Sequence, residues 1–239
     1  MAASYIQSNI SPDPTFVSST TIQLAFLSAV QNGSVLIAAV TNNTDSGSTV
    51  TVSDNINGQW IAGPMYNDPP WSQKHSLFYF AHPAVGMPTV TATFSVAEMY
   101  GGLWIFEYGP CRQFSPVKDD VIANLQVNSA PGTDTIVSTS FDTTENYGVQ
   151  IVSYTFDDSP NSTELITGGT TPIVFNSRGG WTNYKCCWED GYQSVGGPVN
   201  STFGHVLSAS RFVTLVMGIF TTAPLLQPSP MPVFRPDIL

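Results

Sequence analysis

The chain has 239 residues, enough to bury a sizeable core without disulfides or metal. Only 10% of them are charged, against about 25% in an average soluble domain, and Ser, Thr and Asn fill the polar positions instead. A formal net charge of −10, from 17 acids and seven scattered bases, argues against nucleic acid and against an anionic membrane surface as partners.

The N-terminal residues Met1-Ala-Ala-Ser-Tyr-Ile-Gln-Ser8 have neither the basic start nor the apolar run of a signal peptide. Residues 1–20, which contain Ser11-Pro-Asp-Pro14, are expected to form an extended N-terminal arm. The most apolar window, Thr21 to Val40, is interrupted by Gln23, Gln31, Asn32 and Gly33. It reads as two strands and a turn, not as a membrane insertion. Val35–Val40 is almost continuously apolar, the mark of a strand covered on both faces. Thr49–Ser53 alternates strictly and runs into the turn cluster Asp54–Gly58, followed by Gln59-Trp60-Ile61.

His75–Phe80, Thr89–Phe94 and Leu103–Tyr108 continue the series, and Thr135–Phe141, Val149–Phe156, Pro172–Phe175 and Phe212–Met217 repeat its texture. The stretch from Asn176 to Gly204 has weak periodicity and reads as a long loop with one strand near Tyr192. No segment keeps a period of 3.6. The expectation is an all-β chain: a single antiparallel β-sandwich or jelly roll of about eight to twelve strands over residues 21–220.

Residues 221–239 break the pattern, with Pro at 224, 228, 230, 232 and 236. Such spacing excludes helix and central strand. The segment is nevertheless apolar, unlike a disordered linker. It is expected to be an extended C-terminal arm that lies on a partner, with Leu225, Leu226, Val233, Phe234 and Leu239 as anchors.

Chemistry-bearing motifs are sparse. No nucleophile elbow, phosphate loop or zinc spacing occurs, so no catalytic or cofactor-binding residue is assigned. Cys111, Cys186 and Cys187 are read as free thiols, with a vicinal disulfide of the adjacent pair as the alternative. His75, His82 and His205 are read as ordinary surface or edge histidines rather than a metal site. Asp54-Asn-Ile-Asn-Gly58 resembles half of a calcium loop but lacks the downstream acid, and a tight turn explains it as well. Calcium near Asp54 stays as the alternative, and the pairs Asp119-Asp120 and Asp157-Asp158 are treated with the same caution. Glu107, beside Trp104 and Tyr108, is read as a structural acid that accepts hydrogen bonds from a neighbouring loop; a glycosidase carboxylate is the rival. Trp71, Trp181, Trp188 and Tyr66 are candidate ligand-facing aromatics that could grip a glycan or anchor a protein interface.

The order of signals from Gly33 to Phe220 resembles a family of bacterial and phage β-sandwich modules found in surface and virion proteins. The resemblance is carried by Gly33–Val40, the Val52–Trp60 hairpin, Leu77–Ala81, Thr89–Phe94, Leu103–Tyr108, Val149–Phe156 and Phe212–Phe220. It implies structural or attachment duty and no catalytic residue. The expectation is therefore a bacteriophage virion protein, a decoration, fibre or tail-accessory subunit, bound to other virion subunits as a homo-oligomer or on a capsid or tail protein. The alternative is a carbohydrate-binding or adhesive module at a bacterial cell surface, and a third reading is a glycan-active enzyme using Glu107.

Overall fold

The computed structural model describes residues 3–12, 19–43, 48–68, 73–98, 101–113, 117–118, 124–127, 133–137, 141–143, 149–157, 166–168, 174–179, 186–194, 197–199, 202–206 and 211–220. Among these there is no helix, and every strand pair is antiparallel. The all-β expectation holds.

A five-stranded sheet runs in the order β1 (Ser4–Ile10), β9 (Gly102–Gly109), β3 (Val35–Asn43), β7 (Gln73–Ala81), β6 (Ile61–Asp68). A four-stranded sheet holds β2 (Ser19–Ala25), β8 (Thr89–Glu98), β4 (Val50–Asp54) and β5 (Gly58–Gln59). A six-stranded sheet holds β10 (Val117–Lys118), β20 (Arg211–Phe220), β14 (Val149–Asp157), β17 (Cys186–Gln193) and β16 (Phe175–Ser177), with β11 (Asn124–Val127) also on β20. Short ladders join β12 (Thr133–Val137), β19 (Thr202–Val206) and β15 (Ile166–Gly168), and separately β13 (Phe141–Thr143) and β18 (Gly197–Val199).

Alternation of side chains along β3 and β9 explains how the sheets meet. Val35, Ile37, Ala39, Trp104, Phe106 and Tyr108 share one core with Val152, Tyr154, Trp188, Leu215 and Met217 of the six-stranded sheet. Leu36, Ala38, Val40, Leu103 and Ile105, the intervening residues, share another core with Val52, Val90, Ala92 and Phe94 of the four-stranded sheet. The five-stranded sheet is thus covered on both faces, as the unbroken apolar run of β3 implied. All eight residues of β9 are buried. Each fully buried Leu, Ile, Val or Phe contributes about 1.5–3 kcal/mol relative to exposure. These two interiors therefore dominate the stability of the described structure.

Ser4–Ile10, which falls within the expected N-terminal arm, is a strand of the five-stranded sheet and pairs with β9 at its edge. The strand number exceeds the expectation because strands such as β10, β11, β12, β13, β18 and β19 are only two to five residues long, too short for a period to show. The expected long loop between Asn176 and Gly204 contains β17, an eight-residue strand buried from Cys186 to Gly191. Its pattern is hidden because Glu189 and Asp190, both acids, occupy buried positions. The C-terminal anchors Leu225, Leu226, Val233, Phe234 and Leu239 lie outside the described residues, as do Trp71, Trp181, Asp119, Asp120 and Asp158.

Candidate functional site

Three loops meet at one end of the β3–β9 and β4–β8 pair, and two buried carboxyl groups fix them. Glu107 on β9 is fully buried. Its Oε1 accepts the backbone N–H of Gln31 at 2.6 Å, and its Oε2 accepts Gln7 Nε2–H at 2.6 Å. Gln7 in turn accepts Ser28 N–H at 3.0 Å and donates to Ser28 O at 3.2 Å. One acid therefore holds β1 and the 28–31 loop together. This is the structural geometry expected of Glu107, with a loop N–H on the carboxyl and a second donor that the sequence did not reveal.

Asp54, at the end of β4, organises the second loop. Its Oδ1 accepts the N–H groups of Ile56 at 2.7 Å and Asn57 at 2.6 Å, and its Oδ2 accepts Trp60 Nε1–H at 2.7 Å. Asn57 Nδ2 adds bonds to both oxygens, at 3.2 and 3.0 Å. Gly58 closes the turn at a φ of 86°, the left-handed region that favours glycine. Asn57 Oδ1 accepts Ala84 N–H and Asn55 Oδ1 accepts Thr89 N–H, each at 2.8 Å, which ties this turn to the third loop. The oxygens of Asp54 face N–H donors, the arrangement of a side-chain-capped turn. Among the described residues no group of three or more His, Cys, Asp or Glu could hold a metal.

The third loop, Ala84–Pro88, is bonded to the first: Phe26 N–H donates to Pro88 O at 3.2 Å and Val30 N–H to Gly86 O at 2.7 Å. On this interlocked end four large apolar side chains are exposed. Leu27 is 68% exposed, Val85 67%, Met87 55% and Ile56 42%. Ile56 lies directly against Gly86, its Cδ1 2.6 Å from where a Cβ there would stand. The two carboxyl groups of the end are turned inward, while these four apolar side chains stand out among exposed Ser28, Gln31, Asn32 and Asn55. Sequence reasoning passed over this patch. The available signal was Val85 and Met87, apolar residues in the turn-rich stretch between Pro83 and Pro88.

A second polar cluster lies between the five- and six-stranded sheets. Asp190 is 1% exposed and takes a two-pronged grip from Arg178, Nε at 2.5 Å and Nη2 at 2.9 Å, on a guanidinium 27% exposed. Gln150 Nε2–H donates to Asp190 Oδ1 at 3.1 Å and Tyr108 O–H donates to Oδ2 at 3.0 Å. Trp188 Nε1–H donates to Tyr108 Oη at 2.6 Å. The hydrogen bond to Asp190 raises the Arg178 pKa, while burial, with the charge of Asp190 next, pushes the Tyr108 phenol well above its usual range. Arg178 also covers the Tyr5 ring, 4.4 Å from its centroid. The cluster fastens β16, β17 and β14 to β9, and its donors are spent on one another.

Two expectations change here. Trp188 does not face a ligand: it is fully buried and stacked on Phe106, ring centroids 3.9 Å apart, because β17 turns its even positions inward. His75 is not a surface histidine. It is fully buried beside Tyr154, and desolvation lowers its pKa from 6.5 to about 3. Tyr66 is half-buried against the aromatic core, and His82 sits at a φ of 55° beyond β7. His205 lies on β19 and Asp157 ends β14. All three cysteines are free and buried, and burial pushes Cys111 up to about 11 and Cys187 up to about 12.

Comparison with known proteins adds no relative: no protein-family model, no curated protein and no solved structure matches this chain.

Proposed function

We propose that this chain is a layered antiparallel β-sandwich, wired in jelly-roll fashion, that serves as a structural subunit of a bacteriophage virion and works through protein–protein contacts. Decoration, fibre or tail-accessory duty all fit, with other copies of the chain or a capsid or tail protein as the partner. One observation carries the reading. The interlocked end exposes Leu27, Ile56, Val85 and Met87 while the carboxyl groups beneath it, Glu107 and Asp54, are taken up by internal donors. A surface with uncharged loops and exposed apolar side chains, on a chain of net charge −10, serves contact better than turnover. The low charge, the apolar proline-rich segment and the resemblance to phage and surface modules supply the virion assignment.

The test is mass spectrometry of purified virus particles from lysates of the host that makes the protein. A subunit of the particle recurs at fixed stoichiometry through density-gradient purification. A chain that stays in the soluble fraction and is retained instead on a glycan array belongs to the carbohydrate-binding class.

A further inference from the structure

The apolar end needs an occupant, and we propose that it is residues 221–239 of a second copy of this chain, an inference that rests on the assembly reading and names its partner. The path of the chain comes first. β20 ends at Phe220, whose carbonyl accepts Arg112 N–H at 3.0 Å and whose ring lies under the Arg112 guanidinium at 4.0 Å. The adjoining Cys111 N–H donates to Gly33 O at 2.9 Å. Gly33 closes the loop that begins at Leu27, so β20 delivers the chain to the same end that bears the patch.

Charge comes second. The loops of that end, Leu27–Ser34, Asn55–Gly58 and Ala84–Pro88, contain no charged residue. The segment 221–239 contains one Arg and one Asp, Arg235 and Asp237, and is neutral. In a chain of net charge −10 these are surfaces where two copies can approach without repulsion.

Reach favours the neighbour's patch for the distal anchors Val233 and Phe234. From Gly33 to Val30, which is bonded to Gly86, the loop spans at most about 11 Å. The patch of the same molecule therefore lies close to the point where β20 ends. An arm extended at ~3.1 Å per residue carries Val233 and Phe234 about 40 Å past Phe220. The prolines at 224, 228, 230, 232 and 236 bias the residue before each toward extended backbone, which favours outward reach. They also reduce the ordering cost of binding. The contact is head-to-tail: each copy gives an arm and receives one.

Two full-length variants test it. Val233→Asp with Phe234→Asp spoils the arm; Leu27→Asp with Met87→Asp spoils the patch. Sedimentation velocity of the unaltered chain should show concentration-dependent self-association. Each variant alone should weaken it on the order of a hundredfold. Mixed one to one, the variants should form a heterodimer, because one still has a sound arm and the other a sound patch. Thermal melting should stay within a few degrees of the unaltered chain. Self-association that survives the arm variant overturns the proposal and leaves the assembly reading standing. An unaltered chain that stays monomeric at every concentration, with an arm variant that melts early, makes the segment a strap on its own body and overturns it as well. A chain that is monomeric and is also absent from particles removes the assembly reading itself.

Discussion

The two interiors that flank the five-stranded sheet are built from alternate residues of the same strands, yet they differ in kind. Toward the four-stranded sheet the packing is apolar, among Leu36, Val52, Phe78, Val90 and Phe94. Toward the six-stranded sheet Trp104, Phe106, Tyr154 and Leu215 pack in the same way, but the hydrogen-bonded Tyr108 and Trp188, the Arg178–Asp190 pair and His75 lie among them. Apolar packing is set by volume and tolerates exchange of shape. A network of directed bonds does not, because each lost partner strands a buried polar group. The comparison predicts one forgiving interior and one exacting interior in the same molecule.

The largest expected effect tests this directly. Asp190→Ala leaves Arg178, Gln150 and the Tyr108 hydroxyl without their acceptor and should cost about 3–5 kcal/mol in urea unfolding. Leu36→Met, a near volume-conserving change in the interior toward the four-stranded sheet, should cost less than about 1.5 kcal/mol. Equal losses at the two positions would erase the distinction.

Acid sharpens the same contrast. Burial holds His75 at about 3 in the folded chain, below its ordinary 6.5. Above that ordinary value neither state carries the proton, and the contribution to stability is complete. As pH falls from 6.5 toward 3, the unfolded chain takes up a proton that the folded chain refuses. Stability should therefore fall with a slope approaching about 1.4 kcal/mol per pH unit from this group. Unfolding titrations of His75→Phe should show a shallower acid limb across that window. An unchanged limb would mean that His75 is not what sensitises the interior toward the six-stranded sheet.

The difference between the two interiors also explains what the sequence could and could not reveal. β3, β4, β8 and β9 were legible because apolar residues fall where burial needs them, as the run Val35–Val40 and the alternation of Thr49–Ser53 show. β17 was not, because its buried positions include Glu189 and Asp190, whose partners are supplied by folding. Glu107 was legible as a structural acid from its place in a buried strand, but Gln7, a hundred residues away, was not. Nothing in the local pattern around Arg178 announces that it will grip Asp190. The apolar end was missed for the opposite reason: Leu27, Ile56 and the pair Val85 and Met87 lie in three separate turns, and only the hydrogen bonds among those turns gather them.

Glu107 marks the border of the interior toward the four-stranded sheet, and the next expected effect falls there. Glu107→Gln keeps the shape but offers one oxygen and one amide where Gln7 and Gln31 both donate. A buried donor then faces a donor, and stability should drop by about 1–3 kcal/mol. Hydrogen exchange should localise the change, with the Gln31 and Ser28 amides exchanging faster while the Arg178–Asp190 region keeps its protection. Any hydrolytic activity abolished by this change in a folded protein would instead make Glu107 a reactive group.

The smallest effect concerns the Asp54 turn, where backbone shape and not packing sets the cost. Gly58 has a φ of 86°, and an added Cβ would find nothing within 4 Å. Gly58→Ala is therefore opposed by conformation alone and should cost about 1–2 kcal/mol, the ordinary price of a left-handed Ala. Asp54 should respond differently, since its carboxyl group joins the turn to Trp60 and, through Asn57, to Ala84. Asp54→Ala should loosen both loops and reduce the burial of Trp60, read as a red shift in its fluorescence. Calcium discriminates the turn from a metal loop. With the oxygens of Asp54 meeting N–H donors, millimolar calcium should leave the melting temperature unchanged for both the unaltered chain and Gly58→Ala. A rise of several degrees, reversed by EDTA and absent in Asp54→Ala, would show that the loop rearranges to bind the ion. The rigid apolar end would then be a calcium-set surface, and its assembly should follow calcium as well.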